Sequence, residues 1–315
     1  MKPLACLFAL ATAVAFGQET ESGSAAVKLG DGLRVEQQSK AGAAQKDRRL
    51  FVSEVTLNQR VLGEMGQDAA AASVAIAKAS VEVSGAKLYG ESLNTFTGTG
   101  FLVGSRCHVV TARHNINKGK LQRYKDGLYS QAPDSSASPL NARVKIEHGL
   151  TGKSDLSQNA GTVLSIGSFD DGINGDFALI RLDKPAPANL APILLGDDND
   201  LAAARMMAFG LPADKRSTGE RQIVIDPVCK IVNSTRVRIE TDCLGAPGMS
   251  GGPIAALVEV SGSRSWGIVG MTIRAERTVE NGDTHYGNII MLNLKEIYPI
   301  LWADIKSDLT NHPCQ

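Results

Sequence analysis

The chain has no Cys-x-x-Cys pair, only five histidines and no excess of either charge, and each shortage excludes a class of protein. Without a close cysteine pair, neither a zinc finger nor a thiol redox motif is expected, so we expect no metal and no cofactor. Lysine plus arginine equals aspartate plus glutamate at 33 each, which indicates no basic surface for nucleic acid or an anionic membrane. A hydrophobic content of 43% and a charged content of 21% instead indicate a globular protein with a packed core.

Long hydrophobic runs are also missing, except for one at the N-terminus. Lys2 precedes an apolar run over residues 4–16, and the small residues Ala15 and Gly17 lie where the run ends. The run is shorter than the roughly 20 residues that a membrane-spanning helix needs. The pattern is typical of a signal peptide. We therefore predict a leader at residues 1–17, a secreted or periplasmic protein and no membrane span.

The cysteine count is low, and loss of the leader removes Cys6. Four remain, namely Cys107, Cys229, Cys243 and Cys314. An even number in an exported chain suggests two disulfides, with three pairings possible in principle. Cys229 and Cys243 flank a strand-rich segment that can form a hairpin, so we predict that they pair. Cys107 then pairs with Cys314 by exclusion.

The composition changes along the chain near residue 66. Residues 18–66 are polar, alanine-rich and weakly patterned, and we interpret them as an N-terminal extension or pro-segment. The basic cluster at residues 46–49 (Lys-Asp-Arg-Arg) is either a processing site or a solvated turn, and the solvated turn is the favoured interpretation. Residues 67–315 are predicted to form the main domain.

Short apolar segments separated by turns dominate the main domain. They are predicted as strands at residues 80–83, 97–103, 108–110, 142–146, 162–166, 177–182, 223–225, 237–239, 266–273 and 288–292. Many short strands with few helices indicate an all-β barrel or sandwich. One short helix is predicted at about 294–306, despite Pro299.

The most specific motif is Gly-Met-Ser-Gly-Gly-Pro at residues 248–253. A serine that attacks a carbonyl needs backbone amides beside it to hold the developing oxyanion. Gly248 lets its own amide turn toward that position without a side chain in the way. The motif therefore indicates that Ser250 is a nucleophile.

A serine hydroxyl needs a base, and the base needs a carboxylate that orients it. His114 ends an apolar strand and is the best candidate for the base. The other histidines lie before that strand or in turn-rich segments, namely His108, His148, His285 and His312. Asp176 opens an apolar strand, where an unpaired carboxylate would be costly, and is the best candidate for the carboxylate. Asp170 and Asp171 compete but lie in a glycine-rich loop.

Together these motifs resemble those of the trypsin/chymotrypsin-like serine peptidases, particularly the bacterial-type secreted members. Thr-Ala-Arg-His at 111–114 is similar to their Thr-Ala-Ala-His, and Asp-Phe-Ala-Leu at 176–179 to their Asp-Ile-Ala-Leu. The segments at 98–103, 248–253 and 267–272 also resemble theirs, as does the order histidine, aspartate, serine. The resemblance implies two six-stranded antiparallel barrels at about 74–186 and 190–295. It places His114 and Asp176 in the first and Ser250 in the second.

The same resemblance implies the remaining parts of the site. The amides of Gly248 and Ser250 would form an oxyanion hole. The specificity pocket would involve Leu244, Gly270, Met271, Thr272 and His285. Leu244 offers no charge to a basic side chain, which favours small, apolar or, if Thr272 and His285 converge, acidic side chains. Asp242, two residues before Leu244, would restore a basic preference if the loop is shifted. Departures are Arg113 in place of a small residue and Met249 in place of an acidic one.

The implied function is that of a serine endopeptidase acting on peptides or proteins as a monomer. The alternative is a non-catalytic peptide-binding module on the same scaffold, which loss of a triad member would favour. An α/β-hydrolase is disfavoured, because Gly-Gly-Pro follows Ser250 where that fold needs a helix, and only 65 residues remain. Glycines 98, 100 and 104 do not match a dinucleotide-binding spacing.

Overall fold

The structure is a computed structural model in which residues 44–315 form one compact unit. The residues that it describes are 47–51, 59–66, 68–89, 92–116, 121–123, 129–131, 143–148, 159–168, 175–187, 204–214, 216–217, 220–235, 238–260, 263–280 and 283–314. The predicted leader lies outside the described residues. So do Asp170 and Asp171.

Strands make up most of the described fold, with two helices before them and one after. The strands are β1 Leu50–Phe51, β2 Ser80–Tyr89, β3 Ser92–Leu102, β4 His108–Thr111, β5 Leu121–Arg123, β6 Tyr129–Gln131, β7 Arg143–His148, β8 Asn159–Ile166, β9 Ala178–Leu182, β10 Met206–Gly210, β11 Arg216–Ser217, β12 Glu220–Arg221, β13 Val224–Cys229, β14 Ile231–Thr235, β15 Arg238–Leu244, β16 Pro253–Val260, β17 Ser263–Glu280 and β18 Asp283–Asn293. The helices are α1 Gln59–Met65, α2 Asp68–Ala79 and α3 Leu294–Asn311.

The first barrel contains six antiparallel strands that close in the order β2-β3-β4-β9-β8-β7. Its central strand β4 is apolar because it is covered on both sides, and Val109 pairs with Leu102 on β3 and Ile180 on β9. All three side chains are completely buried. This barrel agrees with the six-stranded one that the sequence predicted. Because Thr111 pairs with Ala178, the end of β4 lies beside the start of β9.

The second half differs from the expected six-stranded barrel. Its hydrogen bonds form one sheet of eight strands in the order β1-β13-β10-β16-β17-β18-β15-β14. The sheet curls so that β13 and β15 approach each other, yet a disulfide and a side-chain hydrogen bond join them instead of a ladder. Cys229 is bonded to Cys243, and Asp226 accepts a hydrogen bond from the Leu244 amide at 2.6 Å. Both cross-links therefore hold β13 close to β15.

Both disulfides occur in the pairing that the sequence predicted. Cys229 and Cys243 are 14 residues apart and flank the β14–β15 hairpin. Cys107 and Cys314 are separated by 207 residues, so this bond ties the C-terminal end of the chain to the start of β4.

The N-terminal segment belongs to the fold from residue 47. Leu50 and Phe51 pair with Ile225 and Val224 as an edge strand of the eight-stranded sheet. Helices α1 and α2 contribute Met65 and Ile76, among others, to the largest core cluster. The basic cluster is not a solvated turn, because the Arg49 side chain is only 7% exposed. Its partner Asp214 is 165 residues away in sequence, so the local pattern could not reveal it.

The C-terminal helix α3 has 18 residues, which corrects the short helix expected at 294–306. The Asn293 side chain accepts a hydrogen bond from the Lys295 amide and caps its first turn. Ile297, Leu301 and Ile305 repeat every four residues and pack into the largest core cluster. Asp308, one turn further on, is buried as well and extends the packed face beyond the predicted end.

Asp308 anchors helix α3 to the first barrel through a buried polar cluster. Arg181 donates to both of its carboxylate oxygens, at 2.8 and 2.9 Å. His108 Nε2 lies 3.0 Å from Asp308, and His108 Nδ1 lies 2.6 Å from the Ser105 hydroxyl. The Ser105 oxygen also accepts the Cys107 amide at 3.0 Å, so its hydrogen is available to His108. The network is satisfied when His108 is neutral, with the proton on Nε2.

We expect His108 to make the fold acid-sensitive. Its burial lowers the pKa of His108 below the ordinary value, despite the opposing effect of Asp308. The unfolded chain takes up this proton near pH 6.5, so stability from His108 is intact above that pH and falls below it, by at most about 1.4 kcal/mol per pH unit. In His108→Gln, the melting temperature should therefore fall less steeply between pH 7 and pH 5.

The matched control is His312→Gln, because His312 contacts the same carboxylate but its side chain is 64% exposed. This variant should keep the slope of the parent protein. Equal slopes in the parent protein and His108→Gln would contradict the assignment.

Candidate active site

The first barrel brings His114 and Asp176 together. His114 lies in a short 3₁₀ turn, Arg113–Asn115, directly after β4, and Asp176 lies two residues before β9. His114 Nδ1 is 2.8 Å from Asp176 Oδ2, and the His114 amide donates to Asp176 Oδ1 at 3.1 Å. A carboxylate can only accept, so Nδ1 carries the proton and Nε2 keeps its lone pair. The imidazole is thereby oriented as a base.

Asp176 is held in its charged form by its neighbours. Burial by itself would raise the pKa of Asp176, but the charge and hydrogen bonds of His114 and the charge of Arg113 outweigh burial and lower it. Arg113 is buried, and its guanidinium donates to the Gly167 carbonyl at 3.0 Å. The departure from a small residue at 113 thus places a positive charge near the carboxylate.

Glycines determine the shape of the loop that carries Ser250. Gly248 has φ of +94°, and a Cβ added there would collide with the Leu211 carbonyl oxygen. Most backbone amides of the loop at residues 244–252 donate hydrogen bonds to protein acceptors. They include those of Leu244, Gly245, Met249, Gly251 and Gly252. Within the described part of the chain, the amides of Gly248 and Ser250 have no such acceptor. Both N–H groups are therefore available to a bound oxygen.

The Ser250 hydroxyl does not point at the base in this structure. It donates to the Ile273 carbonyl at 3.2 Å. No hydrogen bond joins Ser250 to the His114 imidazole among the residues that the structure describes. The structure therefore brings together the Asp176–His114 pair, and it leaves the serine hydroxyl in a different hydrogen bond.

The main chain of Ser250 is nevertheless tied to the histidine turn. Its carbonyl oxygen accepts the Asn115 side-chain amide at 2.7 Å and the Thr99 backbone amide at 2.8 Å. Asn115 directly follows His114 and is almost fully buried. The sequence interpretation missed Asn115, because its partner is 135 residues away. A buried asparagine beside the candidate base was the only local signal.

Met249, next to Ser250, is completely buried. It belongs to an apolar cluster that also contains Met206, Val224 and Ile254. The loop is thus held from the inside by packing, which suits the thioether that stands in place of an acidic residue.

The residues expected in a specificity pocket have separate environments. Thr272 exchanges two backbone hydrogen bonds with Gly251 and Gly252 and so adjoins Ser250. Leu244 is buried and pairs with Asn288. Met271 packs in the core, and a Cβ on Gly270 would collide with Met291.

The structure does not place His285 beside Thr272. It pairs with Thr278, six positions further along β17, which is roughly 20 Å along a strand. The two residues therefore do not converge, and the structure does not support the acidic preference that their convergence would have implied.

The described residues hold neither a candidate metal cluster nor a helix that could span a membrane. No group of three or more histidine, cysteine, aspartate or glutamate side chains in the described ranges could hold a metal ion. Among the helices of these ranges, none has the length and apolarity needed to cross a membrane. The candidate site is therefore the region around His114, Asp176 and Ser250.

A closed antiparallel barrel and a second, curled sheet form the fold, and the Asp176–His114 pair lies at the end of β4. The family model for the trypsin-like peptidase domain matches residues 98–259, which include His114, Asp176 and Ser250, and the chain belongs to this family. The chain is similar to the crystal structure of a thermostable serine protease, AL20, from an extremophilic microorganism, with 14% identity and a TM-score of 0.47. That match covers 73% of this chain and 99% of the other. A search of curated proteins found no significant match.

Proposed function

We propose that this chain is a serine endopeptidase in which Ser250 is the nucleophile, His114 the general base and Asp176 the residue that orients it. The observation that carries the proposal is the Asp176–His114 pair, which keeps the proton on Nδ1 and leaves Nε2 as acceptor. Asn115 holds the Ser250 carbonyl beside the same turn. Membership of the trypsin-like peptidase family supports this assignment.

The proposed reaction begins with rotation of the Ser250 side chain away from the Ile273 carbonyl. Nε2 of His114 takes the hydroxyl proton while Oγ adds to the substrate carbonyl carbon. The free amides of Gly248 and Ser250 then donate to the oxyanion. His114 gives its proton to the leaving amine, and water hydrolyses the acyl-enzyme by the same route in reverse. The contacts with His114 and the charge of Arg113 outweigh burial and keep Asp176 ionised throughout.

An extracytoplasmic location is part of the proposal. Two disulfides are typical of proteins that fold in an oxidising compartment, and residues 1–17 have the pattern of a signal peptide. We therefore propose a secreted or periplasmic peptidase with peptide or protein substrates.

One observation favours a different function. The Ser250 hydroxyl donates to Ile273, so the site as it stands also suits a module that binds peptides without cleaving them. The two functions differ in whether Ser250 is reactive.

Labelling with a fluorophosphonate probe distinguishes them. We expect the probe to form an adduct on the peptide that contains Ser250, because only an activated serine attacks the phosphorus. Mass spectrometry of the digested protein locates the adduct, and heat-denatured protein should remain unlabelled. His114→Gln should lose the label while keeping the same circular dichroism spectrum. An unlabelled wild-type protein that still binds peptides would establish the non-catalytic module instead.

A further inference from the structure

Two arginines near the N-terminus bind aspartates that lie next to the loop that carries Ser250. We call residues 47–51 the arm. Its last two residues form β1, which pairs with β13, and its arginines come from the basic cluster whose role the proposed chemistry does not explain. Arg48 and Arg49 reach different partners.

Arg48 reaches the segment that precedes the serine. Its Nε donates to Asp226 at 2.7 Å, and its Nη2 donates to the Asp242 carbonyl. The second oxygen of Asp226 accepts the Leu244 amide at 2.6 Å. Leu244 lies six residues before Ser250. The carboxylate of Asp226 thus connects the arm to Leu244, at the start of the loop that carries Ser250.

Arg49 reaches the opposite side of the same loop. Its two terminal nitrogens donate to Asp214 at 3.1 and 2.6 Å. The neighbouring Ala213 amide donates to the Pro247 carbonyl at 2.8 Å. Pro247 directly precedes Gly248, whose amide donates to no acceptor among the described residues. The arm is therefore linked to residues 244–248 through Asp226 on one side and through Asp214 and Ala213 on the other.

The Arg48–Asp226 ion pair includes a carboxylate that is buried away from water. Asp226 is completely buried, and its burial raises the pKa of its carboxyl group, while Arg48 and the Leu244 amide oppose that rise. Asp242, the other charged group facing it, adds to the rise. Without Arg48, the carboxylate would be a buried charge with no cationic partner, which is strongly disfavoured. The hydrogen bond from the Leu244 amide to Asp226 would then weaken.

We propose that the arm positions the active site: Arg48, through Asp226, and Arg49, through Asp214, hold residues 244–248 so that the Gly248 and Ser250 amides stay aimed at the substrate. This inference rests on the proposed peptidase function. It assigns the basic cluster a structural role in the mature enzyme. Cleavage after Arg48 or Arg49 therefore lowers activity, and processing that preserves full activity takes place before Arg48.

The test uses variants of the full chain. Arg48→Met should lower kcat/KM on the order of 10-fold to 100-fold, because small displacements of a catalytic loop are costly. Arg48→Met combined with Asp226→Asn removes both charges and keeps an amide oxygen for Leu244, so it should recover to within about threefold of wild type. Arg48→Lys, which retains a cation, should also keep most of the activity.

Arg181→Met is the matched control. Arg181 is a partly exposed arginine paired with a buried aspartate, Asp308, but it anchors helix α3 and lies outside the serine loop. This variant should melt earlier than wild type with unchanged kcat/KM, which separates loss of stability from loss of positioning.

Hydrogen–deuterium exchange provides a readout that does not need activity. Peptides covering 244–248 should exchange faster in Arg48→Met than in wild type or Arg181→Met. If the wild-type protein is inactive but this difference appears, the peptidase proposal fails and the structural role of the arm holds. Unchanged exchange and unchanged kcat/KM in Arg48→Met would overturn the inference, as would a double variant no more active than Arg48→Met.

Discussion

Ser250→Ala and His114→Ala are each expected to lower kcat at least about 10⁴-fold while leaving the fold intact. Alanine at 250 removes the attacking oxygen, and alanine at 114 removes the group that takes its proton. Both side chains are partly exposed, so neither change opens a large cavity in the core. Hydrolysis of a chromogenic peptide, together with thermal unfolding of the same samples, measures both effects.

Controls for these variants lie on helix α3 and just after it. Ser307 is exposed on the helix, and the His312 side chain is 64% exposed beyond its end. Ser307→Ala and His312→Ala should retain wild-type kcat. If Ser250→Ala kept most of the activity in purified protein, another residue would be the nucleophile and the assignment would be wrong.

Asp176→Asn is expected to reduce kcat roughly 10⁴-fold. An asparagine can present its NH₂ group to His114 Nδ1, which then accepts the hydrogen bond and leaves the proton on Nε2. An imidazole with its proton on Nε2 cannot take the Ser250 proton. Stability should change less than activity, because the neutral amide is easier to bury than a carboxylate.

The measurement is kcat across pH 5 to 9 for wild type and Asp176→Asn. The pKa of Asp176 is lowered, so the carboxylate stays ionised through this range and the deficit of the variant should persist to pH 5. Asp183→Asn is a suitable control, since Asp183 is an exposed aspartate just after the same strand. An Asp176→Asn enzyme within about tenfold of wild type would show that His114 is oriented by another group.

Local patterns were sufficient to predict the candidate catalytic residues and one disulfide. Ser250 lies in a six-residue motif, and His114 and Asp176 flank two apolar strands whose pairing places them side by side. The strand pattern indicated only an all-β barrel or sandwich, and the six-stranded first barrel was implied by the family resemblance. The Cys229–Cys243 bond follows from residues that flank one hairpin, whereas Cys107–Cys314, 207 residues apart, was predicted by exclusion.

Contacts between distant charged residues could not be predicted in this way. Arg48 and Asp226 are 178 residues apart, and nothing in either neighbourhood indicates the other. The same holds for Asp308, whose burial lengthens helix α3 and which pairs with Arg181, 127 residues earlier. The eight-stranded sheet exceeded the expected six strands, and one of its strands, β1, comes from a segment too polar and too short to be predicted as a strand.

The bond between Cys107 and Cys314 closes two thirds of the chain into a covalent ring that includes Asp176 and Ser250. Cutting one peptide bond of a ring opens it without dividing it. A single cut anywhere between these cysteines, by any protease, therefore leaves the two fragments joined in one molecule. The first cut in this segment changes the connectivity of the chain and releases no fragment.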